Sequence, residues 1–295
     1  MQSHCKIADW LLEAPIKMAG SKTMETTGGQ ISDKDFALFQ RLIFSLTGIH
    51  LASAKKPMLC GRLGKRLRAL GLSSYQDYYE LISSAKASEE RETCINLITT
   101  NETYFFREPR HFDFLRQHVL PQFRTSPLRV WSAACSSGEE VYTLALVLAE
   151  TLGLGKNWEV FGSDISTHVL QKAAQAIYPM DRGEKIPKHI MHKYCLKGKG
   201  ENAGLFAIDQ ALRKHVRFGQ INLNTPLPDI GDFDVVFLRN VMIYFPVETK
   251  AAVVERLAER IKPGGWLFIG HSETLNGVTE VVRQISPTIY RKTRE

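Results

Sequence analysis

From residue 127 onward the chain alternates short apolar runs with longer amphipathic stretches, and this rhythm constrains its fold more than any other feature. Runs at 129–132, 159–163, 216–220, 233–238 and 266–270 are short and mostly apolar, as expected of strands in a sheet covered on both faces. Helical periodicity fills the stretches 138–152, 167–176 and 247–261, the last stopped by Pro263, Gly264 and Gly265. Strands of this kind separated by helices predict an α/β fold with a parallel sheet covered on both faces. Segment 183–212 breaks the rhythm: Lys197, Gly198, Lys199, Gly200 and Gly204 lie between short apolar stretches, which predicts a small inserted β-subdomain.

Upstream, Ser32 and Asp33 precede Phe36, Phe39, Ile43 and Leu46, spaced as on one helical face and closed by Gly48. Further helices are predicted at 58–70, closed by Gly71, and at 74–83 and 89–98. The expected organisation is an all-helical domain over 31–98 followed by the α/β domain over 99–295, with 1–30 an extension that is loosely held or partly helical. The hydrophobic fraction of 44% in 295 residues supports one substantial core and a second smaller one, which excludes disorder. The apolar run around 8–15 contains Asp9 and Glu13 and is short, so neither a secretion signal nor a spanning helix fits; the cytoplasm is the expected compartment. Five scattered cysteines, with no CxxC pair, suit reduced thiols. A net charge of +7 implies attraction to an acidic partner without saying which.

The most informative stretch is VWSAACSSGEE, residues 130–140: an apolar strand, small residues, a glycine and two acids opening a helix. Small side chains admit a flat ligand at the carboxyl end of a first strand. The acids Glu139 and Glu140 would repel a pyrophosphate but suit a cationic cofactor, although small residues and acids also favour any strand-to-helix turn. Asp164 ends the next strand, where a carboxylate accepts hydrogen bonds from both ribose hydroxyls of an adenosine ligand; the plainer role is capping the helix that begins near Ser166. FGQINL (218–223) and VVFLRNVMIYF (235–245) put Asn222, Arg239 and Asn240 just past apolar strands, on the same rim of the sheet.

TNETYFFRE (100–108), WSAACSSGEE, FGSDIS, QINL, LRNVMIYF and GHSE (270–273) together resemble the CheR family of chemotaxis receptor methyltransferases, in the family's order and across about residues 31–295. The resemblance implies a Rossmann-like S-adenosylmethionine methyltransferase sheet, an all-helical N-terminal domain and an inserted small β-subdomain. It implies S-adenosylmethionine as cofactor, S-adenosylhomocysteine as product and receptor glutamates as methyl acceptors. By the same resemblance Asn101, Thr103, Arg107, Glu140, Asp164, Asn222, Leu223, Arg239 and Asn240 line the cofactor pocket, and Arg107 and Tyr244 act at the transferring methyl. Cys135 stands where an alanine is common, and a small thiol fits there. No general base is needed, because a glutamate, with a reference pKa of about 4.3, is already ionised at neutral pH. The basic stretch 55–68 contains Arg62, Lys65, Arg66 and Arg68, expected to dock against the acidic methylation helices of a receptor, unless that face is merely solvated. In some members the β-subdomain adds a strand to a peptide at the receptor's C-terminus, and the loop 198–204 makes that expectation reasonable here. The partners expected are methyl-accepting receptors, with no nucleic acid and no membrane insertion, and the chain is expected to be a monomer.

His189, His192 and Cys195 have metal-like spacing, but no fourth ligand is near and Lys188, Lys193 and Lys197 disfavour a cation, so no metal is expected. His271, Ser272 and Glu273 contain the residue types of a hydrolase triad; consecutive strand residues point to opposite faces, so a turn is expected instead. Two other functions compete. A nucleic-acid methyltransferase shares such a fold and a basic surface, but RNVMIYF lacks the prolines of an NPPY-like segment. A non-enzymatic cofactor-sensing adaptor requires Arg107 or Tyr244 to be misplaced.

Overall fold

The computed structural model describes residues 31–293; the expected N-terminal extension and Cys5 lie outside them. Four helices come first: α1 (Asp33–Thr47), α2 (Lys56–Leu70), α3 (Tyr75–Ser83) and α4 (Ser88–Ile98). Helix α1 starts where the Ser32 hydroxyl accepts the Asp35 N–H at 3.0 Å and stops at Gly48, held at φ +74°; α3 starts with a reciprocal Ser74/Asp77 capping box. The residues spaced by three and four, Phe36, Phe39 and Ile43, bury against Leu63, Tyr78 and Ile82 in a core of their own.

Two arginines expected on a docking face also take part in this packing. Arg62 donates through Nη1 to the carbonyls of Leu97, Ile98 and Thr99 at 3.1, 2.9 and 2.9 Å, satisfying oxygens that the end of α4 leaves without partners. Arg66 grips Glu90 with two hydrogen bonds of 2.9 and 2.5 Å, and the Tyr78 hydroxyl adds a third to the same carboxylate. Lys65 and Arg68 remain exposed.

After the short helix α5 (Arg110–Phe114) the chain forms β1 (Leu128–Ser132), α6 (Glu139–Leu152), β2 (Trp158–Asp164), α7 (Thr167–Gln175) and β3 (Ile177–Pro179). Next come α8 (Lys188–Tyr194), β4 (Cys195–Lys197), β5 (Leu205–Ile208), α9 (Gln210–Arg213) and β6 (Val216–Gln220). The chain closes with β7 (Phe233–Leu238), α10 (Val247–Glu259), β8 (Ile261–Ile269), β9 (Val282–Ser286) and β10 (Ile289–Lys292). The main sheet runs β6-β2-β1-β7-β8-β10-β9, parallel as far as β8, with β10 antiparallel to both neighbours. Every residue of β7 is buried: Val235 and Phe237 face one core with α6, while Phe233, Val236 and Leu238 face the other with α10.

Three details differ from the sequence reading. The final two strands were not expected, because β9 exposes three consecutive residues and β10 is only four residues long. Pro263, Gly264 and Gly265 do not merely stop α10; they lie within β8, where its register against β7 shifts between Phe233 and Val235. The inserted sheet has three antiparallel strands, β3-β5-β4, and its first strand precedes the segment 183–212.

Candidate functional site

Strand order reverses beside β1, flanked by β2 and β7, and the cleft opens beyond the carboxyl ends of these strands, as open α/β sheets dictate. It encloses roughly 870 Å³, solvent at its mouth included, which is within the ~300–1,000 Å³ of small-molecule sites. Thr47 and Ile49 from the helical domain form one wall, the segment 99–107 another, and the ends of the parallel strands the floor.

The turn after β1 is tied down at both ends. Ser136, held at φ +49°, donates its N–H to Asp164 Oδ2 at 2.8 Å and its hydroxyl to the Asn101 carbonyl at 3.0 Å. Gly138 sits at φ +94°, and a Cβ there would lie 2.8 Å from that of Ala173, so this glycine serves the approach of α6 to α7 rather than a ligand. Ala133 and Ala134 supply the small surface at the cleft.

Asp164 is buried, and its other oxygen accepts the Ser166 N–H at 3.0 Å. The cap of α7 is the Ser166 hydroxyl, which accepts the Val169 N–H, so Asp164 is not the capping residue. Burial pushes its carboxyl up, although the backbone donors of Ser166, Ser136 and Ile165 pull the other way. Each oxygen keeps acceptor capacity, and the residue lines the cleft.

The two acids of the GEE turn divide their work. Glu139 is buried and pairs with Arg182 of the inserted region, which also donates to the Thr103 carbonyl at 2.7 Å. Glu140 faces the cleft, accepting the Ser132 hydroxyl at 2.7 Å and Arg239 Nη1 at 3.0 Å. Burial raises the Glu140 carboxyl, although Arg239 and Ser132 oppose the shift. Arg239, with its side chain 1% exposed, also pairs with Glu108 at 3.0 Å and donates to the Arg107 carbonyl at 2.6 Å. Its guanidinium thereby ties the strand ends to the segment that carries Arg107.

Four non-glycine residues near the cleft have positive φ: Phe106 (+55°), Glu108 (+59°), Ser136 and Asn240 (+58°). Such conformations cost about 1–3 kcal/mol each and persist only where neighbours enforce them. At Asn240 the enforcer is Glu273, whose carboxylate accepts its N–H; the GHSE stretch forms a turn after β8, as expected.

All nine residues expected at the cofactor, together with Tyr244, line this one cleft. Their side chains are not equally free. The Asn222 amide is committed to the Leu46 carbonyl at 2.7 Å and the Asn224 N–H at 3.0 Å, and Leu223 is buried. Arg107 is half-buried, held by one hydrogen bond to the Glu102 carbonyl at 2.9 Å and by the Tyr104 ring, 5.7 Å away. Tyr244 is not a core aromatic: it is half-buried on a short turn whose carbonyl accepts the His50 N–H at 2.9 Å. The sequence reading passed over Glu108 as a site residue and took Glu139 only as an acid of the GEE turn and Glu273 only as part of the GHSE turn; the carboxylates of all three organise the wall. Their only signal was position inside or beside the quoted motifs.

Comparison with known proteins agrees with this geometry. The family model described as CheR methyltransferase, all-alpha domain, matches residues 34–99, and that described as CheR methyltransferase, SAM binding domain, matches residues 101–291. The chemotaxis protein methyltransferase of Salmonella typhimurium is 38% identical over 271 residues, covering 90% of this chain and 92% of its own length. Its counterpart in Escherichia coli is 39% identical over 267 residues, covering 90% and 93%. Chemotaxis protein methyltransferase 2 of Pseudomonas aeruginosa is 39% identical over 260 residues, covering 87% and 92%. Among the described residues, no helix is long and apolar enough to cross a membrane.

Proposed function

The chain belongs to the CheR family of S-adenosylmethionine-dependent chemotaxis methyltransferases, and on that premise we propose that it esterifies glutamate carboxylates of chemotaxis receptors. One observation carries the choice of acceptor. Among the described residues no His, Lys or Cys lines the cleft, and of its three carboxylates Glu102 is exposed to solvent while Glu140 and Asp164 have both oxygens hydrogen-bonded. Such a lining suits an acceptor that arrives already ionised, and a carboxylate does so at neutral pH.

The cleft suits the cofactor in size, in its alanine surface and in its buried acids. When bound, S-adenosylmethionine supplies a methyl group on a sulfonium, open to in-line attack. Asp164 would accept the ribose hydroxyls on the free lone pairs of its two oxygens, and Glu140 contributes negative charge that favours a cationic ligand. Asn101, Thr103 and the backbone at 222–223 would shape the remaining wall. Arg239 and Asn240 act by holding that wall in place. Arg107, tethered by one hydrogen bond, would orient the incoming carboxylate with a loose grip, since a bidentate clamp would stabilise the ground-state anion more than the transition state. Tyr244 would flank the same carboxylate, and alignment supplies most of the rate.

Lys65 and Arg68 are the cations of α2 left for docking to an acidic receptor helix. The edge strands β3 and β4, with exposed Ile177 and Leu196, would add a receptor peptide as a further strand. This reading takes the chain as a cytoplasmic monomer. Its test is incubation with methyl-labelled cofactor and either receptor-bearing membranes or RNA. Base-labile label on receptor protein is expected; label on RNA alone, or none on protein, overturns the proposal.

A further inference from the structure

Beside the cleft but not lining it, three side chains from distant parts of the sequence converge: Glu108, His111 at the start of α5, and His271 just after β8. We infer that they form a binding site for a single divalent transition-metal ion of the zinc class. Their ligand atoms all lie within 4.8 Å of one another, with Glu108 Oε2 3.6 Å from His111 Nδ1 and 3.8 Å from His271 Nε2. An ion with bonds of about 2.0–2.2 Å joins tetrahedral donors about 3.3–3.6 Å apart, so the two distances from Glu108 need only a small contraction, and the two imidazoles, within 4.8 Å of each other, would close around the ion.

His111 is 1% exposed, and its Nδ1 has no hydrogen-bond partner among the described residues. That nitrogen is a bare lone pair in the tautomer whose Nε2 carries the hydrogen. His111 Nε2 lies 2.8 Å from the Thr288 hydroxyl, whose one proton is directed to the Pro287 carbonyl at 2.6 Å. With the hydroxyl donating there it accepts from Nε2–H, and Nδ1 is then bare and faces Glu108 Oε2 at 3.6 Å. Metal-bound histidines are fixed in this way by a partner on the opposite nitrogen. Thr288 occupies φ +61°, a strained conformation for a β-branched residue, which places its hydroxyl against the ring.

The charges admit a dication. Glu108 Oε2 faces Arg239 Nη2 at 3.0 Å and accepts the His271 N–H at 3.2 Å, while its Oε1 accepts the Asn240 amide at 3.2 Å. Arg239 opposes a second cation, yet it is shared between Glu108 and Glu140, which leaves one negative charge among the three. His271 is 46% exposed at its side chain, giving access from solvent and room for water as a fourth ligand. Two imidazoles and one carboxylate select zinc-class ions over magnesium or calcium, which prefer all-oxygen shells.

The test uses the full chain stripped with a chelator and titrated with Co²⁺ as a spectroscopic probe, with Zn²⁺ as competitor. One equivalent should bind, giving the visible bands of a four-coordinate ion without thiolate charge transfer, and Zn²⁺ should abolish them. His271→Ala, a surface change, should weaken binding by about tenfold or more. No saturable band, a thiolate band, or a His271→Ala protein that titrates like the parent would overturn the site.

Discussion

Glu273 reaches back past the end of β8 to accept the backbone N–H of Asn240 at 3.0 Å. The same carboxylate accepts the N–H groups of Gly270 at 2.6 Å and Met242 at 2.8 Å, so one side chain anchors the positive-φ Asn240 and the turn that carries Tyr244. Gly270 makes this possible, because a Cβ there would lie 2.6 Å from Asn240 Nδ2 and 2.8 Å from Glu273 Oε2. Glu273→Gln turns an amide N–H toward backbone donors. It should cost about 1–3 kcal/mol of stability by urea unfolding and lower turnover as well. A variant with unchanged midpoint and rate would show that the turn holds itself.

Asp164→Asn keeps the shape of the side chain but replaces one acceptor oxygen by a donor. Calorimetric affinity for S-adenosylhomocysteine should fall by about tenfold or more, from hydrogen bonds to a charged group worth about 1.5–3 kcal/mol each. Unchanged affinity would remove Asp164 from the ribose.

Arg107→Ala leaves the Arg239, Glu140 and Glu108 network intact, since Arg239 contacts only the backbone carbonyl of residue 107. Turnover should drop by about tenfold or more while binding of the demethylated product changes less. Normal turnover would exclude Arg107 from the methyl acceptor.

Lys65→Ala with Arg68→Ala should weaken receptor methylation and flatten its salt dependence without shifting the unfolding midpoint. Arg66→Ala should lower the midpoint, because it strands Glu90, which is half-buried beneath it. Equal salt dependence in the parent and the double variant would make α2 a bystander.

His111 gives stability a defined pH dependence. Its ordinary pKa of 6.5 falls to about 3 in the folded chain through burial and Arg239, with His271 adding repulsion and Glu108 opposing. Between those values the unfolded chain binds a proton that the native state refuses. Its contribution is therefore complete above pH 6.5 and is lost as pH falls, by about 1.4 kcal/mol per pH unit. Urea unfolding between pH 7 and about 4.5, in chelator, should show a steeper loss for the parent than for His111→Gln. Parallel curves would mean that the imidazole is protonated in the native state.

Much of the fold was legible because its signals are local. The runs that became β1, β2, β7 and the end of β8 are mostly apolar since both faces of the sheet are covered, and Ser32, Gly48, Gly71 and Ser74 mark helix ends by capping chemistry. The cleft-lining residues were legible through motifs, most of them beside a strand end and the rest in the segment before α5. What escaped depends on partners far along the chain. Nothing near Arg66 in the sequence announces Glu90, and nothing near Glu108 announces Arg239. The commitment of the Asn222 amide to Leu46 likewise needs the two domains already docked. The strand β9 reads as surface because most of it is surface.

That contact between Asn222 and Leu46, with the neighbouring bond from His50 to the Tyr244 carbonyl, means that the helical domain is no detachable adaptor. A chimera that exchanges residues 31–98 for a distant relative's helices would alter the rim on which the nucleoside rests, so receptor choice and cofactor retention would change together. Grafting a new target preference onto this scaffold therefore calls for changes on the outer surface of α2, with the end of α1 left untouched.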